Sequence, residues 1–135
     1  MRRILNVVIV LLVCVMVPVL AEACSTSTNP EIAALRAYAD PATQTTLQGL
    51  SEDNLAKYTQ NGNTQFKAAV TQDLLDKVSA QINSQLGTFV SATFSSTEKQ
   101  DQYIIVHYKA KYSKGDVGVR MVFDQDHKVA GQFFE

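Results

Sequence analysis

The sequence predicts an α+β fold in which N-terminal helices pack on one face of a four-stranded antiparallel meander. Three observations carry this. Phe66, Val70, Leu74, Val78, Ile82 and Leu86 recur every four residues, which is the stripe of an amphipathic helix. Tyr103–Phe123 reads as two alternating runs around a Lys114–Gly115 turn, the pattern of a hairpin. The helical patterns all precede the strand patterns, which suits helices covering a sheet better than helices connecting parallel strands.

Residues 1–23 read as a signal peptide. Arg2 and Arg3 give a positive start, Ile4–Leu20 is apolar apart from Asn6 and Pro18, and Ala21-Glu22-Ala23 offers small residues around a cleavage point. The apolar run falls short of the roughly 20 residues of a membrane span. Cys14 leaves with the signal, so Cys24 becomes the first residue and the only thiol of the exported chain, with no internal disulfide to form. Leu20-Ala21-Glu22-Ala23 before Cys24 resembles a lipobox, although Glu22 and Ala21 depart from it. Lipid attachment at Cys24 would hold the chain on a membrane surface without spanning it. The alternative is ordinary cleavage at the same bond and a secreted chain. Residues 24–29 form a polar tether, and residues 30–135 the single α+β domain.

Asn29-Pro30-Glu31 supplies a cap, an N1 proline and a first-turn acid, starting a helix with Ile32, Leu35 and Tyr38 on its stripe. Asp40-Pro41 repeats that device and predicts a second short helix from Pro41 to about Gln48, ended by Gly49. Ser51-Glu52-Asp53 caps a third, carrying Leu55 and Tyr58. The long pattern Gln65–Leu86 comes next, with Thr71-Gln72-Asp73 able to serve as a second cap within it, and Gly87 stops it.

After Gly87 the chain reads as strands. A two-residue loop at Lys114–Gly115 pairs Tyr112 with Val117, Ala110 with Val119, Tyr108 with Met121 and Val106 with Phe123. One sheet face is then apolar and aromatic. His107, Lys109, Lys111, Arg120 and Asp124 fall on the other. A loop at Thr97–Asp101 sets Phe94 beside Ile104 and Val90 beside Tyr108. A turn at Gln125–His127 returns Val129, Gly131 and Phe133 to the apolar face.

Charge and motifs exclude several functions. Twelve basic residues balance 13 acidic ones and are scattered, so nucleic acid is not an expected partner. No Gly-x-Ser-x-Gly elbow and no glycine-rich phosphate loop occurs. His107 reads as an exposed strand residue with Asp124 as a weak diagonal partner. The turn Asp124–His127 lacks the ligand count of a calcium loop. No catalytic residue, metal or cofactor is expected. What remains is Tyr108 and Tyr112 on the inner face, whose hydroxyls need partners inside an apolar layer. With Met121 and Phe94 they are the candidate ligand contacts, set against the plainer reading that they are core.

The run Leu47-Gln48-Gly49-Leu50-Ser51-Glu52-Asp53-Asn54, the helix into Leu86-Gly87, the strands Tyr103–Tyr112 and Val117–Phe123, and the closing Val129-Ala130-Gly131-Gln132-Phe133 together resemble the domain-of-unknown-function family numbered 3887. That family is placed in the nuclear-transport-factor-2-like group with cystatin-like cone topology. The resemblance spans about residues 30–135. It implies the cone fold and an exported or anchored life in bacteria or archaea, and it brings no catalytic residues. Enzymes of the wider fold place an acid or histidine in the cone, and the inner sheet face here offers none.

The expected function is an exported, lipid-anchored, non-catalytic binding module. It would take a small apolar or amphipathic molecule, or a peptide, between helices and sheet. Two alternatives are an interaction module that dimerises or docks an envelope protein through the exposed sheet face, and a cryptic hydrolase or isomerase. A buried carboxylate within reach of Tyr108 would favour the last.

Overall fold

The computed structural model describes residues 29–135. The expected signal peptide, the lipid-attachment residue Cys24 and the tether up to Thr28 lie outside the described residues. Among the described residues the fold is α+β: four helices followed by a four-stranded antiparallel sheet in the order β1-β2-β3-β4.

Helix α1 is Pro30–Ser51. It begins as the sequence indicates, with the Asn29 side chain accepting from the Glu31 N–H at 3.0 Å. It does not end at Asp40. Pro41 lies inside one continuous helix, although a mid-helix proline forfeits a backbone bond and costs about 3 kcal/mol. The offset is visible on the buried side, where Leu35, Ala39, Ala42, Thr43, Thr46, Leu47 and Leu50 keep one helical stripe across the proline. Gly49 likewise does not stop α1. An ideal Cβ there would stand 2.3 Å from the Tyr58 nitrogen, so this glycine lets the next helix lie directly on α1. That helix, α2 (Leu55–Thr59), is capped by Asn54 and not by the Ser51–Asp53 run.

The long helical pattern divides where Thr71 supplies a cap, giving α3 (Thr64–Ala69) and α4 (Gln72–Leu86). The buried side of α4 runs through Leu75 and Ser79, leaving Leu74 47 % exposed. Gly87, at φ +79°, ends α4. The Asn83 amide donates to the Ser51 carbonyl (3.0 Å), and the Ser51 hydroxyl accepts from the Phe89 N–H (3.0 Å). These bonds tie the ends of α1 and α4 to the start of the sheet.

Strands β1 (Phe89–Gln100), β2 (Tyr103–Tyr112), β3 (Gly115–Phe123) and β4 (Val129–Phe134) form the meander. The β2–β3 loop is Ser113-Lys114, so Tyr112 pairs with Gly115, Ala110 with Val117, Tyr108 with Val119 and Val106 with Met121. The expected register is displaced by two residues. Because side chains alternate with period two, every residue keeps its face. The cause is docking: Ser113 N–H donates to the Thr88 carbonyl and Lys114 N–H to that of Leu86, both at 2.9 Å. The β1–β2 loop is also tighter than expected, with Asp101 left-handed at φ 54° and Phe94 opposite Tyr108.

Bulges explain the remaining corrections. One between Phe89 and Ser91 turns Val90 out of the expected inner row, to 58 % exposure, and seats Phe89 instead. Another in the β3–β4 ladder keeps Val129 inside but flips the rest of β4. Gln132 and Phe134 take the inner positions, while Gly131 and Phe133 face outward. Phe133 is 48 % exposed, with the Arg120 guanidinium 4.7 Å over its ring.

Candidate functional site

The four residues read from the sequence as ligand contacts meet in the core under α1. Phe94 and Tyr108 touch edge to face, 6.2 Å apart and 86° between planes. Tyr112 is packed against Phe89 at 5.5 Å, and Met121 is fully buried. Tyr108 is 2 % exposed, and its hydroxyl donates to Asp40 Oδ1 on α1 at 2.9 Å. Arg36, one turn earlier, holds the other carboxylate oxygen at 2.9 Å and lies 5.2 Å over the Phe94 ring. A carboxylate therefore does reach Tyr108. It is a half-exposed acid already paired with an arginine. Burial first, and then the hydrogen bond to Asp40 and that carboxylate's charge, raise the Tyr108 phenol well above its ordinary pKa against downward pulls from Thr43 and Arg36.

The other tyrosines differ in how their hydroxyls are used. Tyr58 donates to Gln132 Oε1 at 3.0 Å, whereas the buried Tyr112 hydroxyl has no hydrogen-bond partner among the described residues. Burial pushes both phenols up to about 12.

None of Phe94, Tyr108, Tyr112 and Met121 lines either of two clefts that meet at Tyr38. An apolar cleft of about 270 Å³ lies between the first turns of α1 and the β1–β2 hairpin. Ala34, Leu35, Tyr38 and Ile104 form its walls; Glu31, Glu98 and Lys99 sit at its rim. A polar cleft of about 420 Å³ lies on the far side of Tyr38, lined by Thr45, Gln60, Asn61, Asp126 and Lys128 among others. Tyr38 and His127 belong to both clefts.

This shared wall is an aromatic stack. The His127 imidazole lies flat on Tyr38, 4.0 Å between centroids and 7° between planes. Tyr38 is braced from the core by Phe123, edge-on at 5.5 Å, and partial burial raises its phenol. His127 is placed by its turn, in which it takes a left-handed backbone at φ 59°. Asp124 anchors that turn: Oδ1 accepts from the N–H groups of Asp126 (3.0 Å) and Lys128 (2.9 Å), and Oδ2 from the Asn63 amide (3.0 Å). Burial pushes the Asp124 carboxyl up, but these donors outweigh it and the net shift is downward.

His107 faces outward as expected, with different partners. The displaced register sets it opposite Arg120, and its ring bridges Glu98 (3.4 Å) and Glu135 (3.1 Å) instead of reaching Asp124. Among the described residues no three His, Cys, Asp or Glu side chains are grouped to hold a metal ion, and no helix is long and apolar enough to cross a membrane.

The family described as protein of unknown function, DUF3887, matches residues 44–131. The chain belongs to this family. No curated protein matches it. The DUF3887 match begins within α1 and ends within β4, so it takes in the sheet, the His127 turn and the polar residues Thr45, Gln60 and Asn61. Glu31–Tyr38, the helical wall of the apolar cleft, precede it. The sequence puts Leu35 and Tyr38 on the stripe of this helix but does not mark them as a cleft wall, because Tyr38 meets His127 only through the tertiary fold.

Proposed function

We propose that this DUF3887 protein is an exported, lipid-anchored, non-catalytic binding module. It takes a small apolar or amphipathic molecule, or a peptide, between the helices and the sheet. The observation that carries the reading is the apolar cleft between Leu35 and Ile104, bounded by Tyr38 and His127. Ligand sites are typically concave, largely apolar and edged by a few polar groups. At about 270 Å³ the cleft suits an occupant at the small end of that range. The nuclear-transport-factor-2-like cone is the architecture in which this reading sets the sheet. Export and anchoring rest on residues 1–24, through the signal pattern and Cys24.

Native mass spectrometry of protein extracted from membranes tests both halves. The proposal expects a diacylglycerol-bearing Cys24 and a retained small molecule. An unmodified Cys24 in a chain that releases no ligand would contradict it.

A second reading has its own support. On the outer sheet face the half-exposed Phe133, covered by the Arg120 guanidinium, offers an aromatic anchor for a partner protein or a second copy, with Lys109 and Lys111 farther along the same face on β2. Phe133→Ala would then break an assembly while leaving ligand retention intact.

A further inference from the structure

The two clefts that share the Tyr38–His127 wall differ in chemistry, and the difference points to the ligand. In the apolar cleft the surfaces beyond the rim are hydrocarbon and aromatic: Ala34, Leu35, Ile104 and one end of the stack. Across the stack, Gln60 and Asn61 offer uncharged donors and acceptors. Thr45, whose hydroxyl donates to the Pro41 carbonyl, offers an acceptor beside Pro41 and Ala42, and Asp126 and Lys128 carry opposite signs. A charged head group would lack a net counter-charge in the polar cleft. An anionic one would also pass the apolar rim, where Glu31 and Glu98 outnumber Lys99. A hydroxyl-rich neutral head suits the amide and hydroxyl lining, and a single alkyl chain suits the apolar side.

From this we propose that the two clefts form one bipartite site for a neutral single-chain amphiphile. Its chain occupies the apolar cleft, its uncharged polyol head the polar one, and the molecule lies across the Tyr38–His127 stack. The inference rests on the apolar cleft being the ligand site and adds the head-group subsite. His127 is exposed and reaches the stack from a turn, so it is the member of the wall that a bound molecule would displace.

Photo-crosslinking with mapped peptides separates the claims. The full chain in lipid nanodiscs is exposed to octyl glucoside carrying a diazirine on the sugar, and separately to octanol carrying one on the chain. The glucoside probe is expected to label residues around Thr45, Gln60 and Asn61, and the octanol probe residues around Ala34 and Ile104. Ala34→Trp should cut both at least tenfold. The double variant Gln60→Ala/Asn61→Ala should cut the glucoside labelling at least fivefold and leave the octanol labelling unchanged. Octanol labelling of the apolar cleft without glucoside labelling of the polar one overturns the bipartite site and spares the binding module. Absence of both labels overturns both.

Discussion

The imidazole of His127 rests on the phenol ring of Tyr38 at 4.0 Å, in a nearly parallel stack joining the β3–β4 turn to the first half of α1. The contact is unequal. Tyr38 also packs on Phe123, while His127 is exposed and held in place by its turn. Tyr38→Ala is expected to cost about 2 kcal/mol or more, and His127→Ala less than about 1.5 kcal/mol. The left-handed backbone at residue 127 adds a finer test. His127→Gly should be more stable than His127→Ala by about 1 kcal/mol, because alanine bears the Cβ strain that glycine avoids. Urea denaturation of the three variants checks all of this.

Gly49 gives a test whose sign differs between local and tertiary reasoning. Helix propensity alone expects Gly49→Ala to stabilise by about 1 kcal/mol. The backbone of α2 occupies the space a Cβ needs, 2.3 Å from the Tyr58 nitrogen. The substitution is therefore expected to destabilise by about 3 kcal/mol, since neither helix can yield cheaply. Thermal or urea unfolding decides between the two signs.

Tyr58 and Tyr112 should respond in opposite ways to loss of the hydroxyl. Tyr58→Phe removes a bond and leaves Gln132 Oε1 unpaired, an expected cost of about 1 kcal/mol. Tyr112→Phe removes a buried hydroxyl that has no partner among the described residues, so the change should be neutral or stabilising by up to about 1 kcal/mol. Both folded phenols lie near 12 against an ordinary value of 10.0. Raised folded values mean that this contribution to stability is complete below pH 10 and is lost as pH rises from 10 towards 12. Tyr112→Phe should lessen that alkaline loss, measurable as the unfolding midpoint between about pH 9 and pH 12.

Asp124 sets the acid side. Its folded carboxyl lies below the ordinary 3.8, so the stability it contributes is present above that value and lost as pH falls through the folded one. Asp124→Ala should flatten the acid limb of the stability profile below about pH 4 and loosen the His127 turn, visible as faster amide exchange at Asp126 and Lys128.

The parts of the fold that depend on side-chain parity were legible in the sequence. Val106, Tyr108, Ala110 and Tyr112 all lie on the buried face of the sheet, even though their pairing partners are displaced by two residues. Turn placement was less legible, because Ser113 and Lys114 are fixed by Thr88 and Leu86 and not by their own turn chemistry. Bulges were not legible at all. Nothing local marks the shifts that expose Val90 and Phe133 and bring Gln132 inside. Asp40-Pro41 misled because Thr43 and Thr46 disguise with hydroxyls the stripe that carries α1 through the proline. The clefts lie where α1, the hairpin end and the His127 turn converge, and no single stretch encodes that meeting.

The central claim is that the space between Leu35 and Ile104 holds a ligand. Chain-borne diazirine octanol, photolysed with the full chain in nanodiscs and mapped peptide by peptide, reads this at the site itself. Labelling concentrated on Glu31–Tyr38 and the Thr97–Ile104 end of the hairpin, and lost in a folded Ala34→Trp variant, is the expected result. Labelling spread evenly over the surface, or unchanged by Ala34→Trp, would contradict it.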